Sequence, residues 1–190
     1  MIEMIIDTYT SENLMLKNSK PTHPAQFPVT IRRVDQTDVA LIDEMHNRVS
    51  KESLYYRFLG PKKTNIDSLR CLCIDKTTSK VVLVATVQEP MEKVVALGYF
   101  MVNQENPTTA EPALLVEDRY QGCGIGKRII KEMCSQAVKM GIETFDIFVD
   151  PSNYPMRHLI QRSGLRYESK FNNGLSDIRV WLHPNGRVYS

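Results

Sequence analysis

The stretch EDRYQGCGIGKRI, residues 117–129, decides how this sequence folds and what it holds. Three glycines stand two apart, at Gly122, Gly124 and Gly126, directly before a run with helical periodicity. A glycine-rich turn from a strand into a helix presents free backbone N–H groups and the positive end of the helix dipole. The stretch therefore predicts an anion-binding loop, and its residue spacing indicates which anion.

Two well-known phosphate loops do not fit this spacing. A Walker A loop needs four residues between its glycines and then Lys and a hydroxyl residue, but Arg128 stands at the hydroxyl position. A dinucleotide fingerprint needs G-x-G-x-x-G in the first strand-to-helix turn, and here the third glycine comes one residue early. A turn without any ligand is also disfavoured, because three glycines in five residues cost backbone entropy.

The remaining pattern is Gln121-x-x-Gly124-x-Gly126 between a strand and a long helix. It resembles the acyl-CoA-binding signature of the GNAT superfamily of N-acetyltransferases, and the likeness in element order covers about residues 28–183. The resemblance implies acetyl-CoA as co-substrate, with its pyrophosphate on the loop amides, and no metal. The cofactor-binding residues that it implies are Leu115, Val116, Gln121, Gly122, Cys123, Gly124, Ile125, Gly126, Lys127 and Asn153. Lys127 and the adjacent Arg128 suit either additional phosphate charge or a solvated helix face.

The periodicity of apolar residues predicts the element order β-α-α-β-β-β-α-β-α-β-β. We expect the α/β (α+β) GNAT fold, with helices flanking a mixed, mostly antiparallel sheet. Strands at 80–90 and 93–102 should pair antiparallel, and the unit at 109–150 should be a parallel crossover. We predict an N-terminal arm at 1–27, the domain at 28–184 and a tail at 185–190.

Composition excludes several classes of protein. The 190 residues are 42% hydrophobic and 24% charged, which is typical of a globular chain, and the formal net charge of +2 does not favour nucleic-acid binding. The apolar run VVLVATV at 81–87 is too short to span a membrane. The acidic residues of MIEMIID argue against a signal peptide, and the four cysteines lack zinc-site spacing. We therefore expect a cytoplasmic protein with reduced thiols.

Transfer of an acyl group to an amine requires a base, because an alkylammonium with a pKa of about 10.4 must first lose a proton. Glu111 and Glu117 are candidates, and the period of a strand places both on one face. Glu111 is favoured, since relatives often carry the base at the matching position, whereas Glu117 would repel the pyrophosphate. Pro112 predicts irregular pairing or a bulge nearby.

The resemblance also implies roles around the thioester. The backbone N–H of Val116, or one close to it, would polarise the thioester oxygen. Asn153 would contact the pantetheine arm or act as a helix N-cap. Many relatives have a tyrosine at the position of Ile160 that protonates the leaving thiolate; Tyr154, Tyr120 or water would have to replace it.

The acceptor is less well defined. The stretch SKESLYYRFLG, residues 50–60, resembles a segment of bacterial GNAT domains that acetylate protein lysines, although its apolar residues also suit a core. The favoured function is acetyl transfer to a primary amine by direct attack in a ternary complex. The acceptor is then a protein lysine or a small molecule, and a non-catalytic CoA-binding sensor is the alternative. The sequence leaves monomer and homodimer open.

Overall fold

A seven-stranded sheet organises residues 28–59, 66–74 and 78–183, which are the residues that the computed structural model describes. Its strands are β1 (Thr30–Arg33), β2 (Lys80–Gln88), β3 (Glu92–Val102), β4 (Thr109–Val116), β5 (Thr144–Val149), β6 (Tyr167–Asn172) and β7 (Leu175–Trp181). Their order is β1-β2-β3-β4-β5-β7-β6, and only the β4–β5 pair is parallel. The predicted mixed, mostly antiparallel sheet is confirmed.

Helices cover both faces of this sheet. They are α1 (Val39–Arg48), α2 (Lys51–Phe58), α3 (Ile66–Ile74), α4 (Ile125–Lys139) and α5 (Tyr154–Gln161). Helices α1 to α3 enclose one apolar cluster against β2, β3 and β4, while α4 and α5 enclose the other. The core therefore has two layers, and the central strands are buried on both sides.

Local signals in the sequence set most element ends. Asp35 caps the short 3₁₀ turn before α1, and the Ser50 side chain accepts from the N–H of Ser53 at the start of α2, as expected. Gly141 follows α4 with a φ of +80°. Asn173 and Gly174, both at positive φ, form the turn of the hairpin that joins β6 to β7.

Helix α3 is absent from the predicted order. Its buried residues Leu69, Leu72 and Cys73 repeat at helical spacing, so the signal was present in the sequence. The predicted arm at 1–27 and the predicted tail at 185–190 lie outside the described residues, as do Gly60 and Pro61.

Candidate active site

The sheet opens between β4 and β5. These strands pair at two described positions, Thr109 with Thr144 and Ala110 with Phe145. Pro112 comes next and has no N–H to continue a ladder. The irregular pairing predicted near Glu111 is thus confirmed on the β5 side, whereas the ladder with β3 runs through Pro112 without a bulge.

A cleft lies at this opening, beneath α4 and α5. Its walls are almost wholly apolar and come from β4, β5, β7, α4, α5 and the loop after α5. They include Pro112, Leu114, Met133, Ile147, Leu159 and Ile160. The cleft therefore suits an organic chain that carries few charges of its own.

Backbone N–H groups line one edge of the cleft. Glu117 donates its N–H to the carbonyl of Val95 at 2.9 Å, so the odd-numbered residues of β4 direct their backbone groups toward β3. The even-numbered residues face the opposite way, which points the N–H groups of Leu114 and Val116 toward the opening. Val116 was named from the sequence; Leu114 was missed, although strand alternation beside Pro112 could have found it.

Leu115 occupies a different environment from its neighbours. Its side chain is 4% exposed and packs in the apolar cluster against α1 and α3. As an odd-numbered residue it directs its backbone N–H toward β3. The structure therefore does not bring this predicted cofactor residue to the cleft.

The glycine loop follows β4 and leads into α4. Gly122 and Gly124 have φ values of +78° and +79°, and a Cβ at either position would meet nothing within 4 Å. Gly124 is the N-cap of α4 and supplies no side-chain cap, so the first-turn N–H groups of Ile125, Gly126 and Lys127 have no intrahelical acceptor. These N–H groups and the helix dipole form a cradle that fits a phosphate.

The other side chains of the loop pack inward. Ile125 is 3% exposed, and half-buried Cys123 packs against the same cluster. A Cβ on Gly126 would come within 3.2 Å of Leu114, which shows how closely α4 approaches β4. These residues can therefore offer backbone groups to a ligand, while their side chains hold the loop in place.

The two basic residues after the loop differ from each other. Arg128 donates to the carbonyl of Val29 at 2.9 Å, which ties α4 to the segment before β1. Lys127 is exposed, and its ammonium group is free to meet phosphate charge. Lys127 can therefore bind additional phosphate charge, which is one of the two roles that the sequence left open for it.

Gln121 links the loop to α2. Its Nε2 donates to the carbonyl of Val116 and to Oγ of Ser53, each at 3.0 Å. Asp118 accepts from the Ser50 N–H at 2.8 Å and from the hydroxyls of Ser50 and Ser53 at 2.6 and 2.8 Å. The side chain of Gln121 therefore acts as a brace, a role that sequence spacing did not reveal.

Glu111 is an exposed carboxylate on the α2 side of the sheet. It lies opposite Met101 in the β3–β4 ladder, and the structure records no hydrogen bond or ion pair between it and any described residue. A carboxylate that has no partner among the described residues, next to the point where β4 and β5 separate, is able to accept a proton.

Glu117 lies on the same face of the sheet as Glu111, as predicted, but it is buried and paired with an arginine. Its side chain is 7% exposed and accepts from Nε of Arg48 at 2.9 Å. Burial raises the pKa of its carboxyl group, although the Arg48 guanidinium opposes this. Arg48 also donates to the carbonyl of Val94, so the pair fixes α1 to the sheet.

The model of the acetyltransferase (GNAT) family matches residues 48–165, which span α2 to α5 and contain the loop, the cleft and Glu111. The chain belongs to the GNAT acetyltransferase family. Members of this family use acetyl-CoA as co-substrate, and the glycine cradle and the free amides described above fit its phosphate and pantetheine groups.

Three relatives show how far the similarity extends. The acetyltransferase Pat of Mycolicibacterium smegmatis is 32% identical over 115 residues, which are 60% of this chain and 34% of the relative. This chain thus spans about a third of the length of that curated relative. The GNAT domain of S. lividans PAT superposes with a TM-score of 0.70 at 21% identity, covering 85% of this chain and 98% of the domain. A putative acetyltransferase from Salmonella typhimurium, whose structure was solved with acetyl-CoA, superposes with a TM-score of 0.63 at 18% identity. The match covers 80% of this chain and 92% of that protein.

In this GNAT chain the position of the usual tyrosine acid is apolar. Ile160 is buried and lines the cleft. Tyr120 is unable to replace it, because its hydroxyl donates to Glu89 at 2.5 Å and its side chain is 3% exposed. Burial and Glu89 raise the pKa of Tyr120 further. Tyr154 is 71% exposed at the start of α5 and remains a candidate.

Asn153 is the N-cap of α5, where its side-chain oxygen accepts from the Met156 N–H at 3.1 Å. Its cap role is thus established, while its contact with pantetheine stays a prediction. Among the described residues, no cluster of His, Cys, Asp and Glu is suited to hold a metal ion. None of the described helices has the length and apolar character to cross a membrane.

Proposed function

We propose that this chain transfers an acetyl group from acetyl-CoA to a primary amine by direct attack in a ternary complex. The observation that carries the proposal is the carboxylate of Glu111, which has no partner among the described residues and lies on β4 next to the point where pairing with β5 ends. The loop amides of Gly122 to Lys127 would hold the pyrophosphate, with Lys127 adding charge. The N–H of Leu114 or Val116 would donate a hydrogen bond to the thioester oxygen and stabilise the negative charge that develops there.

Glu111 removes a proton from the acceptor ammonium, either directly or through water. The amine nitrogen then forms a bond to the thioester carbon and loses its second proton to water, and the carbon–sulfur bond breaks. The departing thiolate takes a proton from water or from Tyr154, since a thiolate with a pKa of about 8.5 leaves readily. All four cysteines are free thiols, which supports the cytoplasmic location that we propose.

We propose a protein lysine as the first acceptor to test. The stretch at residues 50–60 and the similarity to the acetyltransferase Pat support this choice. A panel of lysine peptides, polyamines and amino acids, with release of free CoA as the readout, identifies the acceptor class. Binding of acetyl-CoA without turnover across the whole panel would favour a sensor and contradict the enzyme.

Replacement of the proposed base tests the mechanism. Glu111→Gln should lower kcat/KM by about 10²- to 10⁴-fold, because the amide is unable to accept the proton. The affinity for acetyl-CoA, measured by calorimetry, should stay unchanged. Glu105→Gln, which alters an exposed loop carboxylate, is the matched control. An unchanged rate for Glu111→Gln would remove Glu111 from the mechanism.

A further inference from the structure

Arg57 differs from the two tyrosines that precede it in α2. Its neighbours have partners: the hydroxyl of Tyr55 donates to Asp150, and the Tyr56 hydroxyl lies 3.3 Å from Oγ of Ser152. In the described part of the chain, Arg57 takes part in no hydrogen bond and no ion pair, since its contacts are with ring faces. Its guanidinium carbon is 4.8 Å from the centroid of the Phe58 ring and 4.9 Å from that of Tyr99.

This environment leaves donors unused. Ring faces stabilise the charge of a guanidinium, but its five N–H groups lie in the plane and point past the rings. Burial lowers the pKa of Arg57 to about 10, opposed by the charge of Glu111, so the side chain remains a cation at neutral pH. N–H donors that are half-buried and have no hydrogen-bond partner lower the stability of the fold. A planar carboxylate matches the fork of a guanidinium and would satisfy two of these donors.

The sheet register places this cation close to the proposed base. Tyr99 is paired with Ala113, and Met101 with Glu111, so the ring beneath Arg57 lies two residues along the strand from Glu111 on the same face. That step is about 7 Å. Arg57 and Glu111 do not form an ion pair, yet Glu111 is the charge that acts on Arg57. The α2 side of the sheet thus presents the Glu111 carboxylate and the Arg57 guanidinium as two separate charged groups that a ligand can contact.

We propose that Arg57 binds a carboxylate of the acceptor, so that the preferred acceptors carry a carboxylate close to the amine that is acetylated. The inference rests on the proposed function, because it places the amine at Glu111. An acceptor of this kind is complementary to both charges at once. Its carboxylate is either the terminal carboxylate of a free amino acid or an acidic side chain beside a lysine in a protein.

Matched pairs of acceptors test this inference. One pair is a lysine peptide with Glu next to the lysine and the same peptide with Gln there; the other is an amino acid and its amide. With the wild-type chain, kcat/KM should be about tenfold higher for the acid in at least one pair, mainly through KM. The pair that responds identifies the source of the carboxylate.

Two variants then connect the preference to Arg57. Arg57→Met should bring the ratio of kcat/KM within the responding pair to about one, and Arg57→Lys should retain part of it, because a point charge replaces the fork. Acetyl-CoA binding, followed by thermal shift, checks that each variant is folded.

Two results would overturn the inference. One is the absence of any acid preference in the wild type. The other is a fall in kcat of the Arg57→Met variant that is equally large for the acidic and the neutral acceptor of a pair. This result would mean that Arg57 acts through Glu111 and does not bind the acceptor. If no acceptor turns over at all, the proposed function fails and the inference fails with it.

Discussion

At the scale of single residues, the three glycines of the loop have separate physical roles. Gly122 and Gly124 provide the left-handed turns, and open space surrounds the position of a Cβ at each. Gly126 instead lies within α4, where a Cβ would come within 3.2 Å of Leu114. The first two thus shape the cradle, and the third allows the helix to approach the strand.

Gly124→Ala should weaken acetyl-CoA binding more than it weakens folding. The methyl group costs about 1 kcal/mol of backbone strain at positive φ and would occupy the open space that a phosphate approaches. Calorimetry should show at least a tenfold rise in the Kd for acetyl-CoA.

Gly141→Ala is the matched control, because Gly141 has a φ of +80° and an equally open Cβ position at the far end of α4. It should lose similar stability in urea while binding acetyl-CoA as the wild type does. Equal Kd changes in the two variants would contradict a role of Gly124 in the cradle.

At the scale of elements, the close approach of α4 to β3 depends on Gly98. A Cβ there would overlap a methyl group of Ile129 and lie 2.9 Å from Sδ of Met133. Both residues belong to the apolar face of α4, and both are almost fully buried. The position of the helix that carries the glycine loop is therefore set partly by a residue of the middle strand.

Gly98→Ala should destabilise the fold by about 1–3 kcal/mol, because a packed core tolerates extra volume poorly. Urea unfolding followed by circular dichroism gives the change in midpoint. A Gly98→Ala chain as stable as the wild type would show that α4 moves away from β3 freely.

At the scale of the whole molecule, buried ionic contacts hold the helical layer to the sheet. Asp38, 1% exposed, accepts from both terminal nitrogens of Arg32 in β1, at 2.7 and 2.8 Å, and from the N–H of Asp35. Burial tends to raise the pKa of Asp38, but these hydrogen bonds outweigh it and lower the pKa. The edge strand is thereby tied to the start of α1.

Asp38→Asn should lower stability at neutral pH by roughly 1–2 kcal/mol, since a charge-assisted contact is lost. The folded-state pKa of Asp38 is below the unfolded value, so its contribution is present above the unfolded pKa, about 3.9, and is lost as pH falls through the folded pKa. The stabilities of variant and wild type, measured in urea, should therefore converge below about pH 4. A constant difference down to the lowest accessible pH would contradict this linkage.

Sequence alone determined the features that depend on near neighbours. Glycine spacing fixed the loop conformation, Ser50 and Asp35 fixed helix starts, and Pro112 marked where strand pairing ends, because backbone preferences and caps act over a few residues. Helix α3 was not predicted, although the helical spacing of its apolar residues was present in the sequence.

Only the tertiary structure decided which polar groups are free. Glu117 has its carboxylate held by Arg48, which is 69 residues away in sequence, while Glu111 has no such partner among the described residues. Tyr120 is likewise held by Glu89, and Arg57 lies between two rings, where the described part of the chain offers it no hydrogen-bond acceptor. Burial and partners are set by segments that meet only when the chain folds, and they separate a structural carboxylate from one that is available for chemistry.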